Sequence, residues 1–208
     1  MVLAATVEFR RQTSERSLAE LSSMRKLKHG TVELVLGNIV DQDTDAIVNA
    51  ANTTLAGGGG VDGAIHRAAG PRLKELCLAI PADEDGRRCQ TGSVRTTEAA
   101  NLNARFVIHA VGPFYNELYA EKAAKQLRQV HRLALADAVE RDCRSIAFPA
   151  ISTGAYRYPI ADAASIAIDV ACSHLESESP IKLIRFVLFN HSQFSVFESA
   201  LAAWKSQD

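Results

Sequence analysis

The sequence lacks an excess of charge of either sign, and it lacks long hydrophobic runs. Its 208 residues include 23 Lys and Arg against 24 Asp and Glu, a formal net charge of −1. Balanced charge argues against a strongly basic nucleic-acid binder, because such proteins draw their affinity mainly from neutralising phosphates. A phosphate-bearing ligand remains compatible, since backbone N–H groups can bind it without Lys or Arg. No apolar run approaches 18 residues, so no membrane-spanning helix is expected.

Cysteine is also scarce, and the four cysteines contain no C-x-x-C pair. Their spacing argues against a zinc ribbon and a thioredoxin-type redox motif. A long chain with few cysteines is typical of a reducing compartment, so we expect free thiols and a cytoplasmic location. The N-terminus has no basic stretch before its short apolar run, so no secretory signal peptide is expected. The cysteines are Cys77, Cys89, Cys143 and Cys172.

Three common motifs are missing from segments that otherwise look chemically active. A run of four glycines, Gly57 to Gly60, is not G-x-G-x-x-G, and no Gly-Lys-Ser/Thr follows it as in a P-loop. A nucleophile elbow, G-x-S-x-G, would need Gly at position 150, which is Ala, to activate Ser152. These patterns therefore point to neither of the two usual nucleotide-binding loops, and they disfavour a serine hydrolase.

From residue 31 onward, predicted strands and helices alternate, which favours an α/β sheet covered by helices on both faces. In such sheets, ligands bind at the carboxyl ends of the strands. Apolar residues three positions apart, from Leu18 to Leu27, predict a helix over 14–29 that Gly30 closes. We predict strands over 31–36, 46–51, 105–111, 145–151 and 182–189, and helices over 62–69, 72–79, 120–141, 159–175 and 193–204.

The domain organisation follows from these predictions. Residues 1–29 are too short to form their own core. We therefore expect them to be an extension, a strand over 2–9 plus the helix, that packs on one domain of residues 30–208.

The glycine run is the most informative segment, because it follows a strand and precedes a helix. Glycines allow positive φ and close approach of the backbone to a ligand. The helix that follows offers unpaired N–H groups and a positive dipole end, which suit a phosphate or diphosphate. A turn without a ligand is the alternative, but the flanking residues Asn49, Asn52 and Asp62 favour a functional loop.

Each flanking residue has a structural and a functional interpretation. Asn49 is expected to be mainly structural, whereas Asn52 either faces a sugar hydroxyl or closes an Asx-turn. Asp62 either caps the helix or orients and deprotonates water. His66, one helical turn later, is expected to be a packing or hydrogen-bonding residue.

Two further segments fit a nucleotide ligand. Residues 148–159 run from a strand into hydroxyls and successive N–H groups that can cradle a phosphate. Phe189 ends the last strand, where an aromatic ring can stack on a base. The alternative for Phe189 and Tyr156 is ordinary packing.

Four long motifs resemble the macrodomain family, specifically its MacroD-type branch, which includes bacterial O-acetyl-ADP-ribose deacetylases. They are DAIVNAAN (45–52), GGGGVDGAIHRAAG (57–70), VIHAVGP (107–113) and FPAISTGAYRYP (148–159). The similarity covers about residues 31–204. It implies a three-layer α/β/α fold around a mixed sheet and binding of ADP-ribose without a metal or redox cofactor.

The resemblance also implies roles for individual residues. Asn38 and Ile39 would contact the adenine, with Phe189 beside it. Asn52 would bind the distal ribose, and Asp62 would be the catalytic acid–base. The family usually has Asp at position 38, so we expect adenine recognition without charge assistance and therefore weaker. The diphosphate and distal ribose would be bound by Gly59, Gly60, Val61, Ser152, Thr153, Gly154, Ala155 and Tyr156.

The implied activity is hydrolysis of an ADP-ribosyl ester, either a mono-ADP-ribosylated Asp or Glu of a protein or O-acetyl-ADP-ribose. Water would attack either the anomeric carbon or the acyl carbonyl, and the substrate diphosphate would help to activate it. A binding module that reads ADP-ribose marks without turnover would use the same loops. The pair Asn52 and Asp62 favours the enzyme. A serine hydrolase that uses Ser152 is a third alternative, and RNA binding has no support from a basic patch.

Overall fold

The computed structural model describes residues 22–206, which form one seven-stranded sheet and the helices that cover it. Short 3₁₀ turns lie at Ile39–Asp41 and Glu117–Tyr119. The strands are β1 Ser22–Lys26, β2 Thr31–Leu36, β3 Ala46–Ala50, β4 Val94–Glu98, β5 Phe106–Ala110, β6 Ser145–Phe148 and β7 Leu183–Leu188. The helices are α1 Gly60–Ala69, α2 Pro71–Ala79, α3 Ala120–Glu140, α4 Ile160–Glu176 and α5 His191–Ala203.

The sheet is mixed, with the order β1-β2-β7-β6-β3-β5-β4. The strands from β2 to β5 in this order run parallel, whereas the edge strands β1 and β4 pair antiparallel with β2 and β5. Alternate side chains of each strand point to opposite faces. One face packs against α3, α4 and α5, and the other against α1 and α2. The predicted α/β class and the three-layer architecture are therefore confirmed.

The helix predicted over 14–29 is wrong for its last part, because Ser22–Lys26 forms strand β1. The chain turns back at once, since Leu27 N–H donates to Gly30 C=O at 2.8 Å, and β1 pairs with β2. Gly30 is not a helix cap; a Cβ there would lie 2.7 Å from the carbonyl oxygen of Lys182. Residues 1–21, with the predicted strand over 2–9, lie outside the described part of the chain. Because β1 belongs to the sheet, we propose that the domain begins no later than Ser22.

The other differences are smaller. Strand β4, with the sequence VRTTE, was not predicted, because its polar residues at a sheet edge give no hydrophobic signal. Strand β6 ends at Phe148 instead of residue 151, so the chain leaves the sheet earlier than its apolar run indicates. Among residues 22–206, no helix has both the length and the apolar character that crossing a membrane requires.

Strands β3 and β6 are held together at their amino ends by one side chain. Asp45 Oδ2 accepts hydrogen bonds from the backbone N–H groups of Arg144 (2.7 Å) and Ser145 (3.0 Å). The Asp45 N–H donates to Ser145 Oγ at 2.9 Å. The pairing of these strands ends at Ile47 and Ala147, beyond which β3 leads to α1 on one face and β6 leads to α4 on the other. A crevice opens at such a point in an α/β sheet.

Candidate active site

A cleft of about 340 Å³ lies between the loop that follows β3 and the loop that follows β6. Its position at the carboxyl ends of adjacent parallel strands is the one that the sequence predicts. The predicted site residues that line it are Asn52, Gly59, Gly60, Val61, Asp62, Ser152, Gly154, Ala155 and Tyr156; the other lining residues are Ala50, Ala51, Gly58, Ala110, Gly112, Ala150 and Ile151.

The amino end of α1 forms one wall of the cleft. The helix begins at Gly60, its first N–H groups have no intrahelical partner, and the dipole favours negative charge there. Gly57 and Gly60 have φ values of +90° and +57°, which non-glycine residues rarely adopt. These positive φ values turn the loop so that the start of the helix faces the cleft, an arrangement suited to a diphosphate.

Asn52 organises the glycine loop. Its Nδ2 donates to the carbonyl of Gly57 at 3.0 Å, and its Oδ1 accepts from the N–H groups of Thr54 and Leu55, each at 3.1 Å. Asn52 thus closes an Asx-turn and also lines the cleft. One hydrogen of the Nδ2 amide has no partner in these contacts and is available to a ligand in the cleft.

Asp62 lies in the first turn of α1 with only 5% of its surface exposed. Its Oδ1 accepts from Asn49 Nδ2 at 2.7 Å and lies 3.4 Å from His66 Nε2. Its Oδ2 has no hydrogen-bond partner within residues 22–206. A Cβ on Gly58 would lie 3.0 Å from this buried oxygen, so glycine at position 58 keeps the space beside Oδ2 free of a side chain. The carboxylate is therefore held at one oxygen and unsatisfied at the other.

Behind Asp62 lies a polar group that the sequence analysis did not identify as functional. His109 is completely buried, and its Nδ1 lies 3.1 Å from Asn49 Nδ2. Burial, and to a smaller extent the charge of His66, lower the pKa of His109 to about 3. The available signal was a histidine inside an apolar strand, since a buried polar side chain needs a partner there.

The second loop brings Ser152 to the cleft in a left-handed conformation, with φ of +67°. Its Oγ is buried and has no hydrogen-bond partner within residues 22–206. A nucleophilic serine needs an adjacent base, so this geometry gives no support to a serine hydrolase. Thr153 does not line the cleft; its hydroxyl donates to the Ala150 carbonyl at 2.9 Å and closes the turn.

Tyr156 closes the cleft beside Asp62. The ring stacks on Phe114, with ring centroids 3.7 Å apart, and the Tyr156 carbonyl accepts from the Tyr115 N–H at 2.9 Å. Burial raises the pKa of Tyr156, and the Asp62 carboxylate raises it further. The phenol therefore stays neutral at physiological pH and can act as a hydrogen-bond donor.

The expected adenine contacts lie outside the cleft lining. Leu36 of β2 and Leu188 of β7 are register partners, so Asn38 and Phe189 both follow the carboxyl ends of paired strands. Phe189 is 80% exposed. Ile39 is 4% exposed and its side chain packs in the core. Asn38 caps the 3₁₀ turn through Oδ1, which accepts from the Val40 N–H at 3.4 Å.

The sequence of the chain is similar to those of known proteins. The Macro domain family profile matches residues 48–167, more than half of the chain. A macro domain-containing protein of Vibrio parahaemolyticus is 48% identical over 170 residues, which cover 82% of this chain and 96% of that protein. The chain belongs to the macrodomain family. A second macro domain-containing protein, from Caldanaerobacter subterraneus, is also 48% identical over 170 residues, with 81% and 94% covered.

Solved structures of other macrodomains superpose well on this macrodomain. The Oceanobacillus iheyensis macrodomain with ADP is 39% identical and has a TM-score of 0.83, with 88% of this chain and 96% of that chain covered. The Trypanosoma brucei macrodomain in complex with ADP-ribose is 38% identical and has a TM-score of 0.72, with 82% and 68% covered. Within residues 22–206 of this macrodomain, no group of three His, Cys, Asp or Glu side chains is placed to hold a metal ion.

Proposed function

We propose that this macrodomain is a MacroD-type hydrolase of ADP-ribosyl esters, acting on mono-ADP-ribosylated Asp or Glu side chains of proteins and on O-acetyl-ADP-ribose. The observation that carries the proposal is the Asp62 carboxylate. It is almost buried at the cleft wall, one oxygen is fixed by Asn49, and the other is unpartnered. A carboxylate with one fixed and one unpaired oxygen suits a general base.

ADP-ribose fits the cleft by charge and shape. The free N–H groups at the start of α1, at Gly60 and Val61, would bind the diphosphate. Asn52 would donate its remaining amide hydrogen to the distal ribose, which places that sugar next to Asp62. Phe189, which is mostly exposed, would then lie beside the adenine. Relatives of known structure that contain ADP and ADP-ribose support this choice of ligand.

Asp62 Oδ2 would accept a proton from the attacking water and orient it. Where the acyl group is on the anomeric oxygen, attack at the anomeric carbon breaks the bond from this carbon to the ester oxygen, and the carboxylate leaves. Attack at the acyl carbon breaks the acyl–oxygen bond through an oxyanion that the loop N–H groups would stabilise. Both routes consume one water and give ADP-ribose and a carboxylic acid. Hydrolysis in ¹⁸O-labelled water separates them, because the carboxylic acid takes up the label only in the second route.

The test compares two cleft variants on both substrates. Asp62→Asn keeps the shape and an oxygen for Asn49 but removes the base, so kcat for ADP-ribose release should fall by about 100-fold or more, the size expected of general-base catalysis. Its Kd for ADP-ribose, measured by calorimetry, should change little. Asn52→Ala is the matched variant, since it releases the glycine loop and should weaken ADP-ribose binding by roughly tenfold, equivalent to about 1.4 kcal/mol.

Two results would contradict the proposal. Full turnover by Asp62→Asn would remove the carboxylate from the reaction. ADP-ribose binding by the unmodified protein with no release of product from either ester would make this macrodomain a reader module.

We also propose a cytoplasmic location, supported by four cysteines that are free and buried.

A further inference from the structure

Asn49 and His109 form a polar pair inside an otherwise apolar layer of the sheet. They are register partners on β3 and β5, and both are 0% exposed. Their neighbours at the preceding alternate positions, Ile47 and Val107, point to the same face and pack against α1 and α2. Burying polar groups in such a layer is costly unless they are hydrogen-bonded. Packing alone therefore does not explain why two polar side chains occupy these buried positions.

The hydrogen bonds of the pair assign the protons. Asn49 Nδ2 donates to Asp62 Oδ1 at 2.7 Å and to His109 Nδ1 at 3.1 Å. His109 Nδ1 must therefore carry the lone pair, and the ring proton lies on Nε2. There the Nε2–H faces the Thr97 hydroxyl at 3.0 Å and Cys77 Sγ at 3.4 Å. Both amide hydrogens of Asn49 are thus used by acceptors on its two sides.

The oxygen of the Asn49 amide shows that these two acceptors set its orientation. Asn49 Oδ1 is buried and has no hydrogen-bond partner within the described residues. A rotated amide would turn this oxygen toward the Asp62 carboxylate and His109 Nδ1, so that acceptors would face each other. The observed orientation leaves Asn49 Oδ1 without a donor, but it gives Asp62 Oδ1 and His109 Nδ1 one hydrogen bond each.

We propose that His109 is a positioning residue for the hydrolysis, acting through Asn49 on Asp62. The neutral ring fixes the Asn49 amide, and the amide fixes Asp62 Oδ1, so that Oδ2 stays unpartnered beside the glycine loop. His66 Nε2 lies 3.4 Å from the same Oδ1 and offers the carboxylate a competing partner if the Asn49 bond is lost. This inference rests on the proposed function, since it assigns a role in the same reaction.

The surroundings of the ring support a constant charge state. The groups that face it are Asn49 from β3, Thr97 from β4 and Cys77 from α2, with the His66 ring of α1 at a centroid distance of 6.5 Å. Asn49 and Thr97 do not titrate in this range, and burial raises the pKa of the Cys77 thiol to about 11. His109 itself stays neutral above about pH 3. His109 therefore holds the Asp62 carboxylate in the same way across the physiological pH range, and it does not act as a pH switch.

The kinetic test uses three variants of the full chain. His109→Leu removes the acceptor for Asn49, and kcat should fall by roughly tenfold to 100-fold, since a displacement of about 1 Å costs up to about 100-fold. The KM and the ADP-ribose Kd should stay within about twofold. His109→Asn, which places an amide oxygen near the Nδ1 position, should recover most of kcat. Cys77→Ala removes volume beside the same ring without breaking the Asn49 bond, and it should leave kcat unchanged.

A second measurement does not depend on turnover. In the NMR spectrum of the unmodified protein, the Asn49 side-chain amide protons should be protected from exchange, and they should exchange rapidly in His109→Leu. Unchanged kcat in His109→Leu, or an equal loss in Cys77→Ala, would overturn the positioning role. If the unmodified protein releases no ADP-ribose, the proposed function fails. The Asn49 amide protons then still decide whether His109 holds this carboxylate.

Discussion

A Cβ placed on Gly112 would lie 2.2 Å from Ser152 Oγ and 2.6 Å from Ile151 Cγ2. The segment after β5 thus touches the loop after β6, and glycine is the residue that permits the contact. The contact matters for binding, because Gly112, Ile151 and Ser152 all line the cleft.

We therefore predict that Gly112→Ala displaces the second loop. Overpacking of this kind costs about 1–3 kcal/mol of stability, and the displaced loop should also weaken ADP-ribose binding by tenfold or more. Chemical denaturation and calorimetric titration measure the two effects. Gly37→Ala is the control for stability, because a Cβ there contacts nothing within 4 Å. Wild-type affinity in Gly112→Ala would show that the loop position does not control binding.

The stability of the protein should fall as the pH falls below about 6.5. Burial lowers the pKa of His109 to about 3 and that of His131 to about 4, whereas an unfolded histidine titrates near 6.5. Between these values the unfolded chain binds more protons, so the free energy of unfolding decreases by up to about 1.4 kcal/mol per pH unit for each histidine. The stability from these neutral rings is complete above pH 6.5 and is progressively lost toward pH 4.

Urea denaturation between pH 7.5 and 4.5 checks this slope. His131→Leu removes one of these rings from a site that is buried against Phe148, and its slope should be shallower by up to about 1.4 kcal/mol per pH unit. The carboxylate of Asp45, whose pKa is lowered, affects stability only at a pH below this window. An identical slope in His131→Leu would contradict the assignment to buried histidines.

Arg25 of β1 ties the first described strand to the last helix. Its Nη1 donates to the carbonyls of Leu201 (2.9 Å) and Trp204 (2.8 Å) at the end of α5, and its guanidinium lies 4.9 Å from the centroid of the Trp204 ring. We predict that Arg25→Ala lowers the free energy of unfolding by about 1.5–3 kcal/mol, because it removes charge-assisted hydrogen bonds. Thermal denaturation checks this, with the exposed Lys26→Ala as the control. Equal stability of the two variants would mean that β1 does not hold α5.

Much of the fold could be predicted because buried parallel strands and amphipathic helices have distinct periods. The prediction failed at the polar edge strand β4 and at β1. At β1 a three-residue spacing of Leu and Met resembled a helical stripe, although Met24 is 42% exposed and pairs with Glu33 across the sheet. Edge strands are determined by the neighbour that they pair with, and a local pattern contains no information about that neighbour.

The site was predictable to the extent that it consists of two local loops. The glycine run and the residues 152–156 each have a composition that indicates backbone binding of phosphate. The pair Asn49 and His109 could not be found in this way, because the two residues are 60 positions apart and meet only through the register of β3 with β5. His66 was expected to be a packing or hydrogen-bonding residue, and its Nε2 lies 3.4 Å from Asp62 Oδ1.

The hydrogen bonds that join Asp45 to Arg144 and Ser145 have a consequence for how the protein folds. They join two strands that are 100 residues apart in the chain, and the two walls of the cleft follow these strands. The chain must pay the entropy of closing that long loop before any complete cleft exists, so we expect the ligand-binding surface to form late on the folding pathway. A nascent or partly folded chain then has no affinity for the ligand. A bound ligand would therefore stabilise the native protein mainly by lowering the rate of unfolding.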